Sequence, residues 1–407
     1  MKILQLCKKF PYPLKDGESI AITYLAKAFA ELGHDVTLLA MNTRKHWFDV
    51  AGSPQALGHY ADIHTVEIDN RIKPTDALRN LFSEKSYHIE RFIDPVFEQK
   101  LIEILRNDWF DVVQLETLYL APYIPVIRKH SSALVAMRAH NVEHEIWERI
   151  ATNGNWLKQW YLQRITPRLR AFEVAQLNKY DLLIGITERD VAHFRRLGLK
   201  KPAVVTPIGL DCRDYLADDA SFRQPLSLSF IGSLDWMPNV EGLRWFLNEV
   251  WQPLLSKKFP ELTLHIAGRN TPGWLRRLSM PNVKVHGEVP DAAQFINNHP
   301  VMIVPLLSGS GMRAKILEGM ALGKVVLSTR MGMEGIEARD KKEALLADTP
   351  GDFVRAIEWC QANPDGLLQL GQRAQVFCVK NFDNLEVARH LTETYRRLMP
   401  ERSVAAP

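Results

Sequence analysis

The sequence predicts an α/β protein built from two doubly wound, parallel-sheet domains. The first reason is length: 407 residues exceed what one ordinary core organises and suit two domains of about 200 residues each. The second is a strand, loop, helix, strand unit over residues 2–40. The third is its recurrence, since from residue 226 the chain again alternates short β-branched runs with segments of helical periodicity.

Composition sets the outer limits. An apolar share of 46% and a charged share of 24% belong to a water-soluble globular chain. No apolar run approaches the roughly 20 residues of a membrane span, and the chain opens straight into a strand, so a cytoplasmic protein is expected. Cys7, Cys212, Cys360 and Cys378 lie far apart without metal-ligand spacing, which suits reduced thiols. A net charge of +4 gives no support to a nucleic-acid partner.

In the first half, residues 2–7 read as a strand and 8–18 as a loop carrying Pro11, Pro13 and Gly17. Ser19 is the expected N-cap of a helix over 20–32, closed by Gly33 before a second strand at 34–40. Residues 42–106 mix strand-like and helical runs, of which 89–105 is the clearest helix. A buried strand at 111–115 ends at Glu116, and the loop 117–119 lies at the same carboxyl edge as Gly17, where open α/β sheets bind ligands.

The strand 133–137 runs into the polar cluster Arg138-Ala139-His140-Asn141-Val142-Glu143-His144-Glu145. A histidine just past a strand's carboxyl end exchanges a proton near neutrality; the alternative is that His140 and Asn141 only cap the helix from Glu143. His144 reads as a surface or packing residue of that helix. Over 155–179, Trp156, Trp160 and Tyr161 alternate with Lys158, Arg164, Arg168 and Arg170. That pattern suits either docking on an anionic membrane surface or a helix with one packed and one solvated face. After a strand at 181–186 and a helix to residue 197, residues 202–207 lead to Ile208-Gly209-Leu210-Asp211 and a polar linker at 214–225.

The second half opens with a strand at 226–231 and the loop Gly232-Ser233-Leu234-Asp235-Trp236, then a helix from Asn239 to about residue 259, interrupted at Pro253. The strand 262–267 is followed by Gly268-Arg269-Asn270, and the strand 283–287 by Glu288-Val289-Pro290, with Asp291 capping the next helix. The most informative stretch is 301–329: a buried strand, the glycine loop Ser308-Gly309-Ser310-Gly311, a helix over 312–322 and another buried strand. Free amides of Gly311, Met312 and Arg313 and the positive end of the helix dipole form an anion site. Arg313 and Lys315 add cations where the dipole disfavours them, which implies an anionic ligand, and Glu318 is placed to accept both hydroxyls of a ribose. Helices at 350–362, 366–380 and 385–398 complete the chain.

The 301–329 stretch resembles the signature of retaining, nucleotide-sugar-dependent glycosyltransferases of family 4, whose GT-B fold has two facing Rossmann-like domains. In that family two glutamates eight positions apart frame a glycine-rich turn; Glu318 matches the second, with Met320, Ala321 and Gly323 after it, while Ser310 replaces the first. The resemblance implies domains at 1–206 (acceptor side) and 207–381 (donor side), and a last segment, 382–407, whose helix returns to the first domain. It implies donor contacts from Gly17, Gly232, Ser233, Arg269, Asn270, Glu288, Val289, Ser310, Gly311, Met312, Arg313 and Glu318, with His140, Glu318, Arg313 and Lys315 at the reacting centre. The family's usual basic pair after the first strand of the second domain is absent, and Arg313 and Lys315 are the expected substitutes.

The expected activity is transfer of a sugar from a nucleotide diphosphate donor to a hydroxyl of a glycan or lipid-linked acceptor, in cell-surface polysaccharide synthesis, with no metal or other cofactor and with peripheral contact at the inner membrane face as an option. Alternatives are a sugar-nucleotide-binding protein with altered catalysis and a same-fold epimerase. A dehydrogenase is disfavoured, because no Gly-x-Gly-x-x-Gly follows the first strand and no acidic residue ends the second.

Overall fold

The structure is a computed structural model that describes residues 1–12, 14, 17–44, 47–49, 57–71, 80, 83–152, 156–309 and 312–399. The chain forms two units, one made of Met1–Gly209 with the chain from Val387 onward, the other of Leu210–Glu386. These divisions fall slightly later than the sequence expectation of 206 and 381. The reason is a backbone bridge inside the second unit: Leu210 N donates to Phe382 O at 2.7 Å and Asn384 N to Leu210 O at 2.8 Å, so both crossing segments are stitched there before they leave.

The first unit holds strands β1 (Lys2–Cys7), β2 (Asp35–Thr43), β3 (Asp62–Ile68), β4 (Val112–Leu115), β5 (Leu134–Ala139), β6 (Leu182–Gly185) and β7 (Ala203–Val205). They pair in parallel in the order β3-β2-β1-β4-β5-β6-β7. β4, β5 and β6 are buried at every position, as expected of strands covered by helices on both faces. The last helix, Asn384–Leu398, belongs to this unit from Val387 onward, as expected. Its Leu391 and Tyr395 are fully buried, and Thr392 Oγ1 lies 3.2 Å from His34 Nε2.

The second unit repeats the plan with β8 (Ser227–Ile231), β9 (Thr263–Ala267), β10 (Val283–Gly287), β11 (Val301–Val304), β12 (Val325–Ser328) and β13 (Leu345–Leu346). Their parallel order is β10-β9-β8-β11-β12-β13. Phe230, Phe246, Trp251, Ile303, Leu327 and Phe353 anchor its core. Asp291 caps its helix as read from sequence, accepting from Gln294 N at 2.9 Å.

Four local expectations are corrected. The first helix begins at Gly17, so Gly17 is not a loop residue and Ser19 is not a cap; Glu18 lies in the first turn, where it suits the dipole, and pairs with Lys8 at 3.1 Å. The helix read over 89–105 is two, Tyr87–Glu90 and Pro95–Asn107, because Pro95 must stand at a helix start and Asp94 caps it from Val96 N and Phe97 N. The helix from Asn239 starts at Met237 and widens into a π-helical stretch, Phe246–Leu255, around Pro253, which supplies no donor. The polar linker contains the 3₁₀ turn Asp219–Arg223, held by Lys324 Nζ on Asp218 O and Ser221 Oγ, so it is part of the second unit. No helix among the described residues is long and apolar enough to cross a membrane.

Candidate active site

In the second unit the strand order reverses between β8 and β11, and the loops beyond these two strands border the crevice where open α/β sheets take ligands. The loops after β10, β9 and β8 are tied in sequence: Gly268 N donates to Gly287 O at 2.7 Å and Leu234 N to Arg269 O at 2.9 Å. Gly268 is required by this approach, since a Cβ there would lie 1.9 Å from Gly232 O. Ser233 Oγ and Asn270 Nδ2 both donate to Asp235, at 2.6 and 2.9 Å, and these bonds, the serine's first, hold that carboxyl below its ordinary range. Asn270 has φ 56°, the left-handed turn conformation that asparagine tolerates. Arg269 and Glu288 are exposed and Val289 is half-buried.

Lys315 is the centre of this edge. From the first turn of the Ala314–Ala321 helix its ammonium reaches back to the carboxyl end of β8, donating to Asn239 Oδ1 at 2.8 Å and Ile231 O at 3.3 Å, 4.7 Å from the Phe230 ring centroid. Gly232 makes room for it: a Cβ at that position would stand 3.2 Å from Nζ and 2.7 Å from Asn239 Nδ2. Burial, with the nearby Arg313 charge second, pushes the ammonium down to about 7, with Glu318 pulling the other way. The helix after β11 thus brings a cation to the carboxyl end of β8, whose own loop, residues 232–236, carries neither Lys nor Arg.

Arg313 occupies the N-cap position of the same helix, buried, with its guanidinium 5.5 Å from the Trp236 ring centroid. Burial lowers its pKa, partly offset by Glu334. It therefore precedes the first helical turn instead of lying within it, and Met312 beside it packs on the core. Glu318, three residues after Lys315, is half-buried and accepts from Tyr215 Oη at 3.4 Å. Burial raises its carboxyl, and the Tyr215 bond and Lys315 oppose that. Ser310 and Gly311, expected donor contacts, lie outside the described residues. Nothing in the sequence singled out Tyr215, which fell inside the supposed linker.

In the first unit the order reverses between β1 and β4, and the carboxyl ends of β4 and β5 bring Glu116 and His140 together there. His140 Nε2 lies 3.0 Å from Glu116 Oε2. The alternative that His140 and Asn141 merely cap the following helix fails, because that cap is Glu173: its carboxylate accepts from Glu143 N at 3.0 Å and His144 N at 3.2 Å. His144 is buried and also pairs with Glu173 through Nδ1, a packing role. Gly17 stands in this unit, at the start of the Gly17–Glu31 helix. On the 156–176 helix, Leu162, Ile165 and Leu169 are buried and Arg168 turns inward to Asn80 O at 2.6 Å, while Trp160 is exposed with Arg164 stacked 5.5 Å from its centroid.

Residues 16–214 match the family described as Glycosyltransferase Family 4, and residues 225–363 the one described as Glycosyl transferases group 1. Over 98% of this chain and 100% of the other, the fold is similar to that of Anabaena Alr3699/HepE crystallised with UDP, at 14% identity and a TM-score of 0.66. Sucrose-phosphate synthase from Thermosynechococcus elongatus is similar over 98% of this chain and 99% of its own, at 17% identity and a TM-score of 0.63. In sequence the chain is 23% identical, over 95% of its length and 97% of the relative's, to a Klebsiella pneumoniae protein described as an uncharacterized 44.6 kDa protein in cps region. Two parallel-sheet Rossmann-like domains of this kind define the GT-B class of glycosyltransferases. The chain belongs to the group 1, family 4-like glycosyltransferases.

Proposed function

We propose that this protein is a retaining glycosyltransferase that moves a sugar from a nucleotide diphosphate donor to a hydroxyl of a glycan or lipid-linked acceptor in polysaccharide synthesis. The observation that carries the reading is the Lys315 ammonium enclosed at the carboxyl end of β8, one helical turn from a ribose-type acceptor, Glu318. An ammonium held there by two neutral oxygens is costly, and a diphosphate supplies the negative charge that relieves it. As the bond from sugar to diphosphate breaks, charge accumulates on the leaving phosphate, and Lys315 and Arg313 stabilise it without a metal. Glu318 takes the ribose hydroxyls, exchanging its weak bond to Tyr215 for two to the ligand. His140 works at the reacting sugar.

Support for the donor class comes from HepE, whose crystal structures hold UDP and UDP-glucose, and support for the pathway from the relative described as lying in a cps region. Trp160 and Arg164 offer a peripheral surface suited to a lipid-linked acceptor. The test is a panel of uridine, guanosine and adenosine diphosphate sugars assayed by thermal shift, followed by transfer with the stabilising donor and proton NMR of the product anomer. A product with the donor's anomeric configuration, formed in the presence of EDTA, supports the reading. An inverted product, a metal requirement, or the absence of stabilisation by every donor contradicts it.

A further inference from the structure

Glu116 is fully buried at the end of β4. Its Oε1 accepts from Gln5 Nε2 at 2.6 Å and from Gln114 Nε2; its Oε2 faces His140 Nε2 at 3.0 Å and the Arg138 guanidinium at 3.5 Å. The two amides are polarised in the same sense. Gln5 Oε1 takes the hydroxyl of Tyr60 at 3.3 Å, Gln114 Oε1 takes that of Tyr395, and each turns its NH₂ on the carboxylate. The Gln5 and Gln114 amides and the Arg138 guanidinium present only donors to it, and the guanidinium charge beside Oε2 favours the anion. Burial by itself raises this carboxyl, but the Arg138 charge and the bonds from His140 and Gln5 outweigh it and leave the group below its ordinary value.

A buried charge is poor value as a core element, because apolar residues of similar volume hold a fold at least as well. What this one does is fix its one titratable ring neighbour. Since the carboxylate only accepts, the hydrogen shared with His140 must sit on Nε2, and no described residue takes Nδ1. We propose that Glu116 is the positioning residue of His140: it locks the Nε2–H tautomer and the ring plane, so that Nδ1 is the nitrogen presented to a ligand, and the returning helix supports that setting through Tyr395 and Gln114. The functional consequence rests on the reading of His140 as a residue of the reacting centre. Tyr395 stands on the helix that follows the second chain crossing, so the orientation of a site histidine is hydrogen-bonded to the element that closes the fold.

The tautomer is measured directly by ¹⁵N NMR of the histidine rings at pH 8, with His140 assigned by comparison with His140→Asn. The proposal requires Nε2–H in the parent protein. In Glu116→Gln the new amide turns its NH₂ toward His140, because the Gln5 and Gln114 amides hold its oxygen at the Oε1 position; His140 then switches to Nδ1–H. Turnover of the donor found in the panel falls at least tenfold with an unchanged KM, and Glu116→Asp restores part of it. An Nδ1–H tautomer in the parent, or Nε2–H retained in a folded Glu116→Gln, overturns the proposal. If Glu116→Gln does not fold, the parent tautomer and Tyr395→Phe decide: Tyr395→Phe is expected to give a mixture of tautomers, and a parent-like spectrum overturns the part assigned to the last helix. Parent turnover in His140→Ala refutes instead the reading of His140, while the tautomer data still report on the pair.

Discussion

The enclosed ammonium of Lys315 makes donor affinity depend on pH in a direction fixed by the geometry. Folding lowers its pKa from the ordinary 10.5 to about 7, so the empty site loses its proton just above neutrality. A bound diphosphate favours the charged form, and binding on the alkaline side of 7 must therefore draw in a proton. With a midpoint near 7, about nine-tenths of the sites are charged at pH 6 and about one-tenth at pH 8, so affinity falls about tenfold, or about 1.4 kcal/mol. A nucleotide sugar is the right probe, because its diphosphate is esterified at both ends and does not titrate in this range. Calorimetry at pH 8 in two buffers of different ionisation heat should show close to one proton taken up per donor bound. Lys315→Arg should bind with little pH dependence and Lys315→Met weakly at both pH values. Equal affinity at pH 6 and pH 8 in the parent, with no proton uptake, would refute the assignment of Lys315 to the diphosphate. Stability of the free protein should move the other way: the unfolded chain binds the proton between about 7 and 10.5 and the folded one does not, so resistance to urea rises with pH through that window.

Glu318→Ala should weaken nucleotide binding by about 1.5–3 kcal/mol, the worth of hydrogen bonds to a charged group, and calorimetry giving unchanged affinity would remove the ribose assignment. Gly268→Ala drives a Cβ to within 1.9 Å of Gly232 O, so the loop pair must separate. The expected cost is about 1–3 kcal/mol of stability and a loss of donor binding, and an unchanged denaturation midpoint would contradict the packing argument. His265, His286 and His299 cluster on β9, β10 and the chain beyond them, with His265 Nδ1 and His286 Nε2 3.1 Å apart, and burial pushes His265 to about 4 and His299 to about 3. The unfolded chain protonates them from about 6.5 downward while the folded one resists, so stability should be lost as pH falls from 6.5 to 4; His299→Asn should flatten that loss, and equal urea midpoints at pH 7 and 5 would contradict it. Trp160→Ala should reduce flotation with anionic vesicles, and unchanged flotation would leave the 156–176 helix without a membrane role.

The parallel strands were legible because β11 and β12 are short runs of apolar, largely β-branched residues, and the helix after β11 was legible because a strand, glycines and a helix start adjoin in sequence. What escaped the sequence is non-local. The Pro95 break follows from a proline the periodicity overrode, whereas the interruption read at Pro253 takes the form of a π-helical widening. Glu116 looked like a strand end, since its partners come from three other places in the chain: Gln5 on β1, Arg138 and His140 at the end of β5 and, through Gln114, Tyr395 on the last helix. Lys315 and Arg313 were read from sequence as substitutes for the absent basic pair; what the sequence did not show is that Lys315 reaches back to Ile231 O at the end of β8, the strand that pairs with β11. Tyr215 carried no signal at all.

The most direct test of the donor assignment is a crystal structure with the bound nucleotide sugar. The account predicts the diphosphate within about 3 Å of Lys315 Nζ and the ribose hydroxyls on the Glu318 carboxylate, in place of Tyr215. A donor seated elsewhere, with Lys315 still on Ile231 O and Asn239 and Glu318 still on Tyr215, would contradict it.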